Sequence, residues 1–133
     1  NQSIVVSVDY KTNFWGKKEV YIKSGTHNTK VDLLTYVKMK QDEGAGEIFL
    51  NSIDRDGMFL GYDINTIKQV STALNIPLIV CGGARSLDDF KLAVKEGGAS
   101  AVAAGSMFVF QGVHRAVLIT YPKYSELIKL FEE

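Results

Sequence analysis

Four places in this 133-residue sequence combine residue types that could do chemistry, and each directly follows a short apolar run. They are Asp9, the segment Asn51-Ser52-Ile53-Asp54-Arg55-Asp56-Gly57, the segment Cys81-Gly82-Gly83-Ala84-Arg85, and Gly105-Ser106-Met107. A glycine in such a place lets the backbone approach an oxyanion closely, and a helix that starts just afterwards supplies unpaired N–H donors. Two successive glycine-bearing strand ends, Gly82-Gly83 and Gly105-Ser106, therefore read as a phosphate cradle, with tight turns alone as the plainer alternative. Asp9 is read as ending a buried strand, where a carboxylate is costly unless it is paired or at work. It is a candidate acid/base group, with a capping role as the alternative. In extended backbone Asp54 and Asp56 point the same way and Arg55 the opposite way. One aspartate can then hold the loop through backbone N–H groups while the other faces a ligand. A metal site is not expected from this pair, because neither His27 nor His114 stands at a ligand spacing. Cys81 has no nearby histidine to activate it and reads as a small strand-end residue. Glu47 opens its apolar run, at the end opposite to the other groups, and implies a salt bridge or a partner.

The elements that must position these groups are legible as alternating strands and helices. Apolar, β-branched runs at Ile4–Val8, Glu47–Leu50, Pro77–Val80 and Ala101–Ala104 lack a clean polar alternation, the pattern of parallel strands covered on both faces. Between them, helical periodicity begins at Val31–Val37 with Gly44 just past the helix end, and runs again from Asp63 to Leu74 through Ile64, Ile67 and Val70. Ser86 reads as an N-cap followed by the acidic first-turn residues Asp88 and Asp89, with Gly97-Gly98 as the stop. A last helix is expected from about Tyr124 to Phe131, after Pro122, and the aromatic stretch Phe108–His114 is expected to pack against it. Residues Phe14–Ile22 read as a small β-hairpin turning near Gly16-Lys17. The order βαβαβαβα predicts an α/β fold, a single parallel (β/α)4 unit with a hairpin inserted after the first strand. Four such units make half of a closed (β/α)8 barrel, which needs about 250 residues. An open sheet of this kind would leave two strand edges and one face uncovered. A fragment, a pair of copies, or another compact α/β layer are the three ways to resolve that.

Composition narrows the function classes. Fifteen basic and fifteen acidic side chains cancel, so no long-range field favours nucleic acid or an anionic membrane. Phosphate recognition must then be local. A single cysteine excludes an internal disulfide framework and fits a reducing cytoplasm. The stretch Asn1–Asp9 lacks a signal-peptide pattern, and no apolar run approaches the roughly 18 residues of a membrane span.

The run from Gly44 through Ser52-Ile53-Asp54-Arg55-Asp56-Gly57, then Gly61-Tyr62-Asp63 and Cys81-Gly82-Gly83-Ala84, resembles the cyclase subunit of imidazole glycerol phosphate synthase. The likeness continues through Val5–Asp9, Ser24–Thr29 and Ala103–Ser106, and it matches the carboxy-terminal half of that family's barrel. The Ser-Ile-Asp-Arg-Asp-Gly segment is its most specific part. The resemblance implies an enzyme that takes ammonia from a glutaminase partner and joins it to a ribulosyl aminoimidazole carboxamide nucleotide. Imidazole glycerol phosphate and an aminoimidazole carboxamide ribotide result, with no cofactor or metal. It implies that Asp9 is one of two catalytic aspartates in proton transfer. Gly82, Gly83, Gly105 and Ser106 would hold one substrate phosphate, with Asn51, Asp56, Gly57 and Ala84 around the same pocket and Ser24 on the substrate side. Glu47 would stand at the ammonia entrance on the opposite face. The family's other aspartate and second phosphate site belong to an amino-terminal half that this sequence does not contain, so a missing half or a second copy is an expected partner. Cys81 and Gly105 stand where serine and alanine are commoner. Phe110–Pro122 is closer to divergent relatives from surface-polysaccharide gene clusters, thought to supply ammonia for amidating a nucleotide sugar. That substrate, or a non-catalytic phosphate-binding half-barrel, is the alternative expectation.

Overall fold

The computed structural model describes residues 3–133, and its strands β1 (Val5–Thr12), β4 (Glu47–Ser52), β5 (Leu78–Cys81) and β6 (Ala101–Val102) lie side by side and parallel. Asn1 and Gln2, where the stretch read for a leader begins, lie outside the described residues. Two further strands, β2 (Lys18–Ile22) and β3 (His27–Asp32), extend the sheet antiparallel beyond β1, giving the order β3-β2-β1-β4-β5-β6. Helices α1 (Leu33–Asp42), α2 (Ile64–Ala73) and α3 (Leu87–Lys95) alternate with the parallel strands. The short α4 (Ser106–Val109) leads into a two-stranded hairpin, β7 (Phe110–Gln111) and β8 (Ala116–Val117), and α5 (Tyr124–Glu132) closes the chain. No helix among the described residues is long and apolar enough to cross a membrane.

The core lies on one face of the sheet. Val8, Tyr10, Ile48, Leu50, Leu78 and Val80 are buried in one cluster with Leu33 and Val37 of α1, Ile67 and Val70 of α2, and Phe90 and Ala93 of α3. Side chains alternate across a strand, so the intervening residues Ser7, Asp9, Phe49, Asn51, Ile79 and Cys81 share the other face. None of these is fully buried. The sequence therefore reads differently from the structure here. Its apolar runs suggest strands buried on both faces, whereas burial alternates strictly along β4 and β5 because the three helices cover one face only. The second face is half-open.

The antiparallel addition is larger than the expected hairpin. β1 is itself the first arm, pairing from Asp9↔Tyr21 to Thr12↔Lys18, so Asp9 lies inside a strand rather than after one. The turn is held by Asn13, whose side-chain oxygen accepts from the amides of Trp15 and Lys17, both at 2.9 Å. β3 occupies residues expected to begin a helix. Val31 remains in the strand, and Asp32 caps α1 by accepting from the Thr35 amide at 3.1 Å. The N-cap expected at Ser86 makes no side-chain bond, and Asp89 instead accepts from the Arg85 amide at 3.0 Å. β6 keeps only two of its four expected residues, although the Ala103 amide still reaches the Val80 carbonyl at 2.8 Å. The aromatic stretch after Gly105 divides: Phe108 meets Phe90 edge-on and packs tilted against Tyr121, while Gln111 to His114 are exposed in the hairpin.

One buried hydroxyl ties the loop after β4 to the segment that follows β6 at the far side of the sheet. Tyr62, only 5% exposed, donates to the Ala103 carbonyl at 2.7 Å. Burial and the nearby Cys81 and Asp89 push its phenol well above the usual range, so it stays a donor. Tyr62→Phe should lower the unfolding free energy by about 1 kcal/mol, read as a lower urea midpoint with an unchanged slope.

Candidate functional site

Parallel pairing fixes which side chains meet. Asp9 is in register with Asn51 and Asn51 with Cys81, so these three stand in one row across β1, β4 and β5 on the half-open face. Below them the same face carries Ser7, Phe49 and Ile79, and below those Val5 and Glu47. The site row thus stands at the carboxyl end of the parallel strands, where ligands bind in this class of sheet. Asn51 donates from Nδ2 to Asp9 Oδ1 at 3.3 Å. The Asn51 Oδ1 atom is buried and has no partner among the described residues. A buried acceptor without a donor is costly, and this one lies against Gly82, where a Cβ would stand 2.9 Å away.

Beside the row, Asp56, Gly57, Cys81, Gly82, Gly83, Ala84, Ala104, Gly105 and Ser106 line one small cavity of about 10 Å³, roughly the room of a single water. The two central glycines are dictated by approach as well as by conformation. Gly82 has φ +95, and a Cβ there would stand 2.7 Å from the Ser52 carbonyl oxygen and 2.9 Å from Asn51 Oδ1. Gly83 has φ +110, and a Cβ would run into the Gly61 carbonyl. The same two loops are zipped by the Gly61 amide donating to the Gly83 carbonyl at 2.8 Å. Arg55 braces the far side, donating to the Gly61 carbonyl at 3.1 Å. A Cβ on Gly105, by contrast, would meet nothing within 4 Å. That glycine is not required by packing and leaves its side of the cradle open. The amides of Gly57, Ala84, Gly105 and Ser106 meet no acceptor among the described residues. These four residues border the same small cavity.

Of the residues singled out from sequence, the structure gathers Asp56, Gly57, Gly82, Gly83, Ala84, Gly105 and Ser106 in the cradle, and Asp9 and Asn51 in the row that adjoins it through Cys81. The two loop aspartates divide their work. Asp54 accepts from the Thr12 amide at 2.8 Å and fastens the loop to β1, while Asp56 borders the cavity. Ser24 stays apart from the cradle. It sits in the β2–β3 turn at φ +55, between Lys23 at φ +52 and Gly25 at φ +76. A Cβ on Gly25 would stand 3.2 Å from Ile53, which places this turn against the loop after β4. Glu47 stands at the opposite end, bordering a cavity of about 670 Å³ with Gln41, Gly46, Asn75 and Pro77, and its carboxylate has no ion pair among the described residues. Cys81 is held as a thiol. Burial first, then the carboxylates of Asp56 and Asp9, push it up.

Two working contacts were not legible in the sequence. One is the Asn51 bond to Asp9, which appears only once the strand register is known. The other is Arg115, whose guanidinium donates to the Gly57 carbonyl at 2.6 Å and lies over the Phe59 ring at 5.2 Å. A lone arginine in an apolar tail carries no signal for a contact 58 residues away.

Comparison with known proteins gives the following similarities. Residues 1–114 match the family model described as histidine biosynthesis protein. The chain is 48% identical over 132 residues to "Putative imidazole glycerol phosphate synthase subunit HisF" of Leptospira borgpetersenii, covering 98% of this chain and 52% of that protein. It is 44% identical over 127 residues to the similarly named hisF2 protein of Pseudomonas aeruginosa, covering 96% and 51%. It is 45% identical over 109 residues to "Imidazole glycerol phosphate synthase subunit HisF" of Prochlorococcus marinus, covering 80% and 43%. The chain spans about half the length of the curated relatives it matches.

The geometry generates two tests. Gly83→Ala should cost about 1–3 kcal/mol through left-handed backbone strain alone, with more from the clash at Gly61, and inorganic phosphate binding measured by calorimetry should be lost. Alkylation of Cys81 in the native protein should reach half its maximal rate above the ordinary thiol range of about 8.5. Asp56→Asn should move that midpoint down, and a native midpoint at the ordinary value would contradict the buried, carboxylate-flanked thiol. Because the folded state holds this proton more tightly than the unfolded one, Cys81 contributes stability below the ordinary thiol pKa that fades as pH rises through the raised value.

Proposed function

The chain belongs to the histidine biosynthesis protein family, and from that premise we propose that it is the carboxy-terminal (β/α)4 half of a (β/α)8 barrel that serves as the cyclase subunit of imidazole glycerol phosphate synthase. The observation that carries the reading is the adjacency of an acid/base row, Asp9-Asn51-Cys81, to a nest of unpaired amides at Gly57, Ala84, Gly105 and Ser106. A phosphorylated substrate anchored in the nest would reach along the sheet to Asp9. There the carboxylate oxygen not held by Asn51 is free to take or give a proton. Ser24 would complete the substrate side from the β2–β3 turn.

The rest of the half-open face suits an uncharged nitrogen nucleophile. Its middle row is Ser7, Phe49 and Ile79, too apolar to pass ammonium without a large desolvation cost but open to neutral ammonia. In this reading ammonia comes from a glutaminase partner, enters at the end bordered by Glu47, and meets the substrate at the Asp9 row. The barrel is completed by an amino-terminal half or a second copy. Support for that comes from β6, whose outer edge faces an apolar groove of about 660 Å³ lined by Val102, Phe108 and Phe131 among others. Val5, half-exposed on the inner face, points the same way.

Asp9→Asn in the intact protein, supplied with ammonium salts and the ribulosyl aminoimidazole carboxamide nucleotide, should lose about 10²–10⁴-fold in turnover while still binding inorganic phosphate. Undiminished turnover would remove the assignment.

A further inference from the structure

We propose that Arg115 is a positioning residue of the phosphate cradle, acting from the β7–β8 hairpin through the backbone of Gly57. The proposal rests on the cradle reading above and adds to it a residue beyond the family match, which ends at residue 114. Gly57 borders the cradle at φ +74, and a Cβ on it would stand 3.7 Å from Ser106 Oγ. A glycine there leaves the peptide that joins it to Met58 conformationally free unless its ends are held. Both ends of that peptide are pinned. Its carbonyl accepts from Arg115 at 2.6 Å and its N–H, on Met58, donates to the Arg55 carbonyl at 3.0 Å. The Gly57 amide itself has no acceptor among the described residues.

Backbone strain marks the same contact. Arg115 stands at φ +49 and Phe59, which it covers at 5.2 Å, at φ +53. Left-handed backbone is uncommon for an arginine and an outlier for a phenylalanine, and such strain concentrates where geometry serves a ligand. The charge matters as well. Asp56 places a carboxylate on the cradle wall. Two other arginines nearby are committed elsewhere, Arg55 to the carbonyls of Leu60 and Gly61 and Arg85 to Asp89 at 3.3 Å. Arg115 uses one of its five N–H donors on Gly57.

The test measures inorganic phosphate binding and steady-state kinetics on the intact protein with Arg115→Ala and Arg115→Lys. Arg115→Ala should weaken phosphate about ten-fold, the size of one charge-assisted hydrogen bond. KM for the phosphorylated substrate should rise by a similar factor while kcat stays within about two-fold, the pattern of lost binding rather than lost chemistry. Arg115→Lys, which keeps the charge and one donor, should restore most of the affinity. Arg115→Ala binding phosphate as tightly as the parent, or losing kcat at unchanged KM, would overturn the proposal. A parent protein that binds no inorganic phosphate would instead remove the cradle reading itself, and this proposal with it.

Discussion

The structure depends on the parallel register of β1, β4 and β5. Because residues in register across a parallel pair point to the same face, one choice of pairing decides both what is buried and what can react. With Val8, Leu50 and Val80 turned toward the helices, Asp9, Asn51 and Cys81 must turn away from them. A slip of one residue would bury two polar groups and a carboxylate under α1, α2 and α3 and expose the core. Hydrophobic burial thus holds the site row without any of its members contributing to the core.

A second level of organisation comes from the loops, which are joined to one another more than to the sheet. Gly61 bonds Gly83, Tyr62 bonds Ala103, Arg55 bonds Gly61 and Asp54 bonds Thr12. Three of these links join different βα units, and the Arg55 link braces the loop after β4 from within. The cradle therefore belongs to no single loop. It is the gap left where two glycine-bearing turns and a helix start are drawn together closely enough that Gly82 and Gly83 admit no side chain.

Much of this was legible in the sequence, and the reasons are physical. Glycines at strand ends and apolar runs of four or five residues report local backbone demands, so Gly82-Gly83 and the helix from Asp63 to Leu74 are readable without a partner. What failed was decided by tertiary context. His27–Asp32 carries little strand signal by itself and is a strand because β2 offers it an edge. Asp9 reads as a strand end because the apolar run stops there, yet the ladder continues to Thr12 through β2. The apolar runs do not reveal that one face lacks a covering layer. Arg115 and Asn51 acquire their roles from contacts 58 and 42 residues away in the chain, which no local pattern encodes.

The outer edge of β1 is shared unevenly along its length. From Asp9 to Thr12 it is taken by β2, while from Val5 to Val8 β2 leaves it unpaired. Any strand that joined β1 on this side would find about four residues of ladder and would have to stop beneath Asp9. The meander thus acts as a depth gauge: it sets how far a neighbouring strand can rise along β1, and leaves Asp9 flanked by β2 and β4 just above that limit.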